Sequence, residues 1–438
     1  MTPYPLLATR YTASELHFYR ARVLMPMNAP ILEDGAIVVH DGVVIDVGPA
    51  IDLFKEYSSA IYHDLGDVVL LPGLINAHCH LEYSMMHGWI SSQGSFASWI
   101  EKTVKIKSSL TEEDYLNAII KGCKQLRLWG CTTVLNTLSF PELLKRLPKL
   151  PLHCRHLLEV MDIRSPEQGE KGLATTDFFL NPRKQTSCDV FGISPHAPYT
   201  ASKKLYADAQ ELSKKHGALF STHLVESEEE FEMFTQRQGP LFEFLRGLGR
   251  KMDDCSGKTP IQALIKSNLL PKDALLIHMN IFNDADRELL TKRGGDFFII
   301  HSPGSHHFFK RPPFDYDFFQ RSGFSISLGT DSLASNEELN LFYEMRMMAA
   351  SFPQLDPQKI LEMVTLHPAA AIRKKGKIGE LSASATADFI TIPFSGTLQE
   401  ASEAVVWNEH FPVIYSKNHE LHYEATPPEI NKEKWPSC

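Results

Sequence analysis

The chain has 438 residues, of which 43% are hydrophobic and 22% are charged, and its formal net charge is −9 at pH 7. This composition is typical of a folded globular protein, and the length is sufficient for one large domain with a smaller one beside it. The acidic balance excludes a broad basic surface, so we do not expect a nucleic-acid partner.

The sequence also gives no sign of a membrane partner or of disulfides. No stretch reaches the roughly 20 apolar residues of a membrane helix, and the segment "MTPYPLLATRYTASELHFYR" lacks the apolar core of a signal peptide. We therefore expect a cytoplasmic protein. The seven cysteines are scattered and none forms a C-x-x-C pair, which favours free thiols over a disulfide framework or a thiolate zinc site.

The first predicted elements are short β-strands. The stretch "DGAIVVHDGVVIDVG" alternates Val/Ile runs with Asp-Gly pairs, which predicts two strands joined by a hairpin turn. We expect residues 1–70 to form the N-terminal part of a small β-sandwich. Short β-like runs return near the end of the chain, so residues 366–438 are expected to complete that sandwich.

Residues 71–365 show the alternation of short apolar runs and longer amphipathic stretches that is typical of parallel β/α units. Eight runs that end in polar residues are the predicted strands: "LINAHCH", "TTVLNTL", "LHCRHLLEV", "VFGISPHA", "ALFSTHL", "ALLIHMN", "FFIIHS" and "FSISLGTD". They predict an α/β fold, a (β/α)8 TIM barrel, flanked by the sandwich from both chain termini. A flat dinucleotide-binding sheet is the alternative, but no G-x-G-x-x-G follows an early strand.

Two histidines, His78 and His80, close the first predicted barrel strand. Side chains at positions i and i+2 of a strand point to the same side, so both imidazoles can reach one ion while Cys79 points away. A chance pair on a solvated strand is the alternative. In barrels of this kind the catalytic residues come from the C-terminal ends of the strands, which favours a metal site.

Other predicted strands end in the same kind of residue. His223 can complete a face of three imidazoles, and Glu226 follows it in a His-x-x-Glu spacing, either above a metal or as a solvated loop acid. His278, His301 and Asp331 close later strands, where a single residue is more often a hydrogen-bonded core group. Taken together, neutral imidazoles and one carboxylate suit Zn²⁺ or a similar first-row ion.

The fourth predicted strand bears on the number of ions. It ends at His196, where a bridging lysine would be needed to build a two-metal site, and "VFGISPHA" contains no lysine. We therefore predict one divalent metal ion, with Zn²⁺ as the first choice and Fe²⁺ as the alternative.

These motifs together resemble the amidohydrolase superfamily, specifically its mononuclear metal-dependent deaminases. The resemblance covers nearly the whole chain, in the order "DGAIVVHDGVVIDVG", "PGLINAHCH", "SPHAPYT", "STHLVES", "GTDSLASN" and "GKIGELSASATADFITI". It implies that the metal ligands are His78, His80, His223 and Asp331. It also implies that Glu226 shuttles protons, that His278 contacts the attacking water and that His196 contacts the substrate.

Within that branch, "NAHCHLEYS", "GSFASWI" and "TDSLASNEELNLFYEMR" resemble the aminodeoxyfutalosine deaminases. This implies a small purine nucleoside derivative as substrate, namely 6-amino-6-deoxyfutalosine, which is converted to futalosine in menaquinone biosynthesis. Deamination of adenosylhomocysteine, methylthioadenosine, adenosine or guanine, and a chlorohydrolase-type reaction, stay open as alternatives. A non-enzymatic scaffold is the remaining alternative, but such proteins usually lose ligands that are all present here.

The residues that would contact the rest of the substrate are less well marked. Trp99 or Tyr83 could pack against a ring. Ser84, Arg155 or Arg311 could bind a distal carboxylate, and of these a guanidinium matches a carboxylate best. A plain packing or surface role is the alternative for each. The stretch "IIHSPGSHHFFKRPPF" departs from the pattern of many relatives, and the oligomeric state stays open, with a homodimer as one option.

Overall fold

The computed structural model describes residues 16–92, 94–181 and 190–416. Its strands, in chain order, are β1 Leu16–Leu24, β2 Leu32–His40, β3 Val43–Pro49, β4 Ile61–Asp64, β5 Val68–Pro72, β6 Leu74–Cys79, β7 Cys131–Leu138, β8 His153–Val160, β9 Val190–Pro195, β10 Leu219–Leu224, β11 Ala274–His278, β12 Phe297–His301, β13 Ser325–Leu328, β14 Phe389–Pro393 and β15 Val413–Tyr415. Predictions made for residues 1–15 and for residues after 416 lie outside the described part.

The helices surround these strands and connect them. They are α1 Ala50–Glu56, α2 Phe96–Lys107, α3 Glu112–Leu128, α4 Pro166–Leu180, α5 Lys203–His216, α6 Glu228–Gln236, α7 Pro240–Gly247, α8 Pro260–Lys266, α9 Asp284–Arg293, α10 Pro303–Phe308, α11 Tyr316–Arg321, α12 Leu341–Ser351, α13 Pro357–Glu362, α14 Leu366–Ala371 and α15 Ala401–Val406. Across the described ranges, none of them combines the length and the apolar character that a membrane crossing requires.

Strands β6 to β13 form a nearly closed barrel of eight parallel strands that pair in chain order. All eight strands predicted from the sequence are present, and the TIM barrel is confirmed. The interior is apolar because alternate side chains of the strands point inward. One buried cluster gathers these inward-facing side chains: Ile75, Leu135, Leu157, Leu219, Leu275, Ile277 and Ile300.

The ring closes between β13 and β6 through polar and very close contacts. The Asn76 side-chain amide donates to the Thr330 hydroxyl oxygen at 2.8 Å, and the Asp331 backbone N–H donates to the His78 carbonyl oxygen at 3.1 Å. Cys79 and Asp331 form a parallel bridge. At Gly329 the two chains pack so closely that an added Cβ would lie 2.8 Å from the Cβ, N and O atoms of His78.

Both ends of the described chain build one seven-stranded mixed sheet beside the barrel. β14 runs antiparallel to β5, with Ile390 opposite Leu71, so the late strands join the early ones, as expected. The predicted hairpin is confirmed as β2 and β3. Its turn residues Asp41 and Gly42 have φ of 56° and 75°, the positive values that a two-residue type I′ turn needs. The domain limits stay predictions.

Helix α2 is held over the C-terminal face of the barrel by a carboxylate from another element. Glu229 accepts from the backbone N–H groups of Phe96 and Ala97 at 2.5 and 3.0 Å, while the Ser95 hydroxyl oxygen accepts from the Ser98 N–H. A negative charge at a helix N-terminus is favourable because the first N–H groups have no partner within the helix. The segment after β10 therefore fixes the start of α2.

We predict that Gly329→Ala lowers the free energy of unfolding by about 1–3 kcal/mol, because the new methyl group overlaps backbone and side-chain atoms of His78. Thermal unfolding followed by circular dichroism measures the effect. Gly247→Ala is the matched control, since a Cβ there meets nothing within 4 Å. Equal melting temperatures for the Gly329→Ala and wild-type proteins would contradict the close packing at the closure.

Candidate metal centre and active site

Four of the predicted side chains converge at the C-terminal end of the barrel. Nε2 of His223 lies 3.2 Å from Nε2 of His80 and 3.3 Å from Nε2 of His78. Oδ1 of Asp331 lies 3.6 Å from Nε2 of His78 and 4.0 Å from Nε2 of His80. All four residues are buried, so the structure brings the predicted ligand set together at one point.

The hydrogen bonding of His223 shows that this set fits a metal ion. Its Nδ1 lies 2.9 Å from the backbone carbonyl oxygen of His196, so the ring proton sits on Nδ1 and is donated there. Nε2 then presents a lone pair toward the imidazole nitrogens of His78 and His80, and a cation bound by all three would satisfy these lone pairs. Nitrogen ligands of a tetrahedral zinc ion, at about 2.0–2.1 Å, would stand about 3.3 Å apart, close to the observed spacing.

Neighbouring hydroxyl groups orient these donors. Oδ2 of Asp331 accepts from the Ser305 and Ser335 hydroxyls at 2.8 and 3.1 Å, which leaves Oδ1 facing the histidines. Nδ1 of His78 lies 3.3 Å from the Thr137 hydroxyl oxygen. Such outer contacts fix the orientation of metal ligands in proteins, and the sequence analysis did not identify these three residues.

Burial keeps the imidazoles in the neutral form that binds metal. It lowers the pKa of His223 to about 3 and holds the pKa of His80 well below its ordinary value, where the neighbouring histidines lower it further. The backbone of two residues at this site is also unusual, since His278 and Asp331 have φ of 74° and 54°. Such left-handed conformations are uncommon outside glycine and cluster at functional sites.

Glu226 and His278 lie beside the ligand set. Oε2 of Glu226 is 3.8 Å from Nε2 of His278, and His278 itself groups with His78 and His223 as a further donor. Burial raises the pKa of Glu226 to about 8, although the Arg311 guanidinium acts to lower it. A carboxyl group with a pKa near neutrality can both accept and release a proton at pH 7.

Arg311 was considered above as a contact for a distal carboxylate of the substrate, but it lies beside Glu226 at the inner end of the cavity. Its Nη2 is 3.5 Å from Oε1 of Glu226, and its guanidinium packs over the rings of Phe96 and Phe309, with centroids at 4.8 and 4.5 Å. Only 9% of the side chain is exposed. This arginine therefore holds the proton-shuttle candidate rather than the far end of a ligand, a contact that the divergent "HHFFKRPPF" segment did not reveal.

The three residues predicted to contact the substrate have different positions. His196 and Trp99 both line the large cavity above the metal-ligand set. Arg155 is not among the described residues of that wall, because it comes four positions before Glu159 in β8. At about 3.3 Å per residue it lies about 13 Å nearer the N-terminal end of the barrel, where its guanidinium packs on Phe191. The structure therefore does not bring Arg155 to the cavity wall together with His196 and Trp99.

Glu159 is the residue of this face that the sequence analysis missed. Its carboxylate forms a donor group with His80 and His223, with ligand atoms within 4.8 Å of one another. The signal was available, because "LHCRHLLEV" also ends in an acid at the C-terminal end of a predicted strand.

The cavity that opens over the metal-ligand set has a volume of about 1040 Å³. Its inner wall contains Glu226, His278 and Asp331, and its outer wall is formed by α2, α4 and the loop after β7. This volume is at the upper end of the range of about 300–1,000 Å³ found for small-molecule sites. It can therefore hold a ligand considerably larger than a single base.

An eight-stranded parallel barrel with buried histidines and an aspartate at its strand ends defines the class of metal-dependent hydrolase barrels. The model of the Amidohydrolase family matches residues 69–414. The chain belongs to that family, which confirms the predicted superfamily and the prediction that the protein is an enzyme.

Two relatives of similar sequence are named as deaminases of adenine nucleosides. A 5-methylthioadenosine/S-adenosylhomocysteine deaminase of Syntrophobacter fumaroxidans is 28% identical over 373 residues, 83% of this chain and 80% of that protein. A 5′-deoxyadenosine deaminase of Methanosarcina mazei is 25% identical over 381 residues, 84% and 82% of the two chains. The structure of aminofutalosine deaminase from Helicobacter pylori, with methylthio-coformycin, has a TM-score of 0.79 at 23% identity and covers 92% of this chain and 98% of its own.

We predict that His80→Ala abolishes stoichiometric metal retention, because it removes an imidazole whose Nε2 lies 3.2 Å from Nε2 of His223 in the proposed ligand set. Metal content of the purified protein, measured by inductively coupled plasma mass spectrometry, tests this. His87→Ala is the control, since His87 is exposed and faces Glu337 instead. Full metal occupancy in the His80→Ala protein would remove His80 from the ligand set.

Proposed function

We propose that the protein is a hydrolytic deaminase of an adenine nucleoside derivative. Water adds at C6 of the adenine ring, the amino group leaves as ammonia, and the ring retains an oxygen in its place. The main support is one arrangement: Glu226 and His278 line the same cavity as three of the proposed metal ligands, His80, His223 and Asp331. The deaminase relatives, at 25–28% identity over more than four-fifths of the chain, support the same reaction.

In this proposal His78, His80, His223 and Asp331 hold one divalent ion, with zinc favoured by the set of three nitrogens and one oxygen. When bound, such an ion supplies the Lewis acidity that makes water acidic enough to act as a nucleophile near pH 7. Three of these four residues line the cavity, so water and substrate would approach the ion from the cavity.

Glu226 moves the protons in the proposed reaction. Its Oε2 takes a proton from the attacking water and passes it to the ring nitrogen beside C6. It then takes the remaining proton of the new C6 hydroxyl group and passes it to the amino nitrogen, so that the C–N bond breaks, C6 keeps the oxygen and the amine leaves as neutral ammonia. Nε2 of His278, 3.8 Å from that oxygen, orients the water. Nη2 of Arg311 lies 3.5 Å from the other carboxylate oxygen, Oε1. This ion pair keeps Oε2 directed toward the cavity.

We propose 6-amino-6-deoxyfutalosine as the substrate, which would place the enzyme in menaquinone biosynthesis. The outer part of the cavity supports a nucleoside whose far end is aromatic and anionic. Aromatic side chains of this part are Phe140, Phe179 and Phe244, and its basic side chains are Lys105, Lys145, Arg164 and Lys171. The acids Glu101 and Glu142 also lie there, so cations outnumber acids and a terminal carboxylate is favoured.

We predict that Glu226→Gln retains the metal and lowers kcat by about 10²- to 10⁴-fold, because the amide cannot carry the proton. Ammonia release and metal content, measured on the same preparation, separate the two effects. Glu228→Gln is the matched control, since Glu228 is exposed on the adjoining helix α6. Near wild-type turnover in the Glu226→Gln enzyme would exclude the proposed proton transfer.

We also predict that the wild-type enzyme prefers 6-amino-6-deoxyfutalosine in a panel with adenosylhomocysteine, methylthioadenosine, adenosine and guanine. The measurement is kcat/KM from ammonia release by metal-replete protein. A preference for another adenine nucleoside would keep the deaminase and reject the pathway. Preference for guanine, or silence on all five with metal bound, would reject the proposed substrate class.

A further inference from the structure

Glu159 presents a buried carboxylate oxygen to the cavity, between the metal-ligand set and the outer chamber. It stands next to the end of β8, and only 2% of its side chain is exposed. Its Oε2 accepts from the Ser139 hydroxyl at 2.5 Å, whereas its Oε1 has no hydrogen-bond partner among the described residues. A buried carboxylate oxygen without a donor is unfavourable, so this atom is suited to a ligand.

The carboxylate is fixed by a chain of hydrogen bonds that all run toward it. The Lys107 ammonium, which can only donate, contacts the Tyr83 hydroxyl. The Tyr83 hydroxyl lies 2.9 Å from the Ser139 hydroxyl, which donates to Glu159. Because one end of the chain has only donors and the other only acceptors, both hydroxyl hydrogens must point toward Glu159. The chain uses Oε2 and leaves Oε1 to the cavity.

His196 provides a second acceptor beside Oε1. The Thr200 hydroxyl donates to the Ala197 carbonyl oxygen at 3.2 Å and therefore accepts from Nδ1 of His196 at 2.6 Å. In this tautomer Nε2 of His196 carries a lone pair, and it lies 3.9 Å from Oε1 of Glu159. Two acceptors at this distance do not bond to each other, and they match a ligand that brings hydroxyl donors.

We propose that Oε1 of Glu159, together with Nε2 of His196, binds the sugar hydroxyl groups of the substrate. The inference rests on the proposed function, in which the base reacts at the metal-ligand set and the 5′-substituent occupies the outer chamber. The sugar connects those two parts. Glu159 is the second-last residue of β8, and His196 directly follows the adjacent strand β9. Both lie on the side where the cavity extends outward past residues 160–164, which is where the sugar must lie.

Glu159→Gln tests the assignment because it replaces the unpaired acceptor, Oε1, with an amide group that donates. The Ser139 hydroxyl is already committed as a donor, so the amide oxygen must face Ser139 and the amide NH₂ must face the cavity. A donor then meets the sugar hydroxyls in place of an acceptor. We expect kcat/KM for the best substrate of the panel to fall about 100-fold, in line with the loss of a hydrogen bond to a charged group, while metal content stays at the wild-type level.

The specific readout is discrimination between sugars. Adenosine, 2′-deoxyadenosine and 3′-deoxyadenosine are compared as competitive inhibitors of the best substrate. For the wild-type enzyme, the inhibition constant of adenosine should be lower than that of at least one deoxynucleoside by a factor of about 10 or more. For the Glu159→Gln enzyme, the three inhibition constants should be about equal. Glu142→Gln, an exposed acid on the outer wall of the same cavity, should retain the wild-type preference.

Three results would overturn the assignment. If the wild-type protein deaminates no adenine nucleoside, the proposed function fails and this inference fails with it. If the wild-type protein is active but the Glu159→Gln enzyme keeps the preference for adenosine, only the sugar assignment fails. Loss of the metal from the Glu159→Gln enzyme would instead identify Glu159 as a ligand, in agreement with its nearness to His80 and His223.

Discussion

The site depends on the closure of the barrel between its first and eighth strands. Asp331 comes more than 250 residues after His78 in the chain, yet its backbone N–H donates to the His78 carbonyl at 3.1 Å. The absence of a side chain at Gly329 permits that approach, and the Asn76–Thr330 hydrogen bond holds it. Without this closure the carboxylate would have no fixed position relative to the histidines, and the convergent donor set would not exist.

Burial then decides the chemical state of the groups that closure brings together. Removing the site from water favours the neutral form of every titratable group, so the imidazoles of His80 and His223 keep their lone pairs, and the Glu226 carboxyl acquires a pKa near neutrality. The same environment therefore prepares ligands for a cation and a group that exchanges protons. Arg311 limits the effect on Glu226 by placing a positive charge at 3.5 Å.

The sequence predicted the barrel well because both of its signals are local. Each strand is a short apolar run, and each predicted metal-binding or catalytic residue stands at or just after the end of its run, so strand order alone brings His78, His223 and Asp331 to one face. The hairpin at Asp41 and Gly42 was predictable for the same reason, since the turn residues carry the conformation.

The contacts that could not be predicted from the sequence depend on how far along a strand a residue lies and on how the loops pack. Arg155 and Glu159 are on the same side of one strand, but of the two only Glu159 lines the cavity, because depth along the strand decides which side chain reaches it. Arg311 follows the short helix α10, and no periodic pattern tells which side of the site such a segment will face. Its position beside Glu226 depends on packing against Phe96 and Phe309, which is a tertiary property.

The distribution of charge along the cavity connects these observations. At the inner end, histidine nitrogens and carboxylate oxygens present lone pairs, which favours a cation and ligand donors there. In the middle, Glu159 and His196 still offer acceptors. At the outer end, Lys145 and Lys171 offer donors and positive charge. The proposed substrate would therefore place its anionic end against Lys145 and Lys171 and its sugar hydroxyls against Glu159 and His196. In the reverse orientation Oε1 of Glu159 and Nε2 of His196 would stay without donors, which is the physical reason to expect one direction of binding for that substrate.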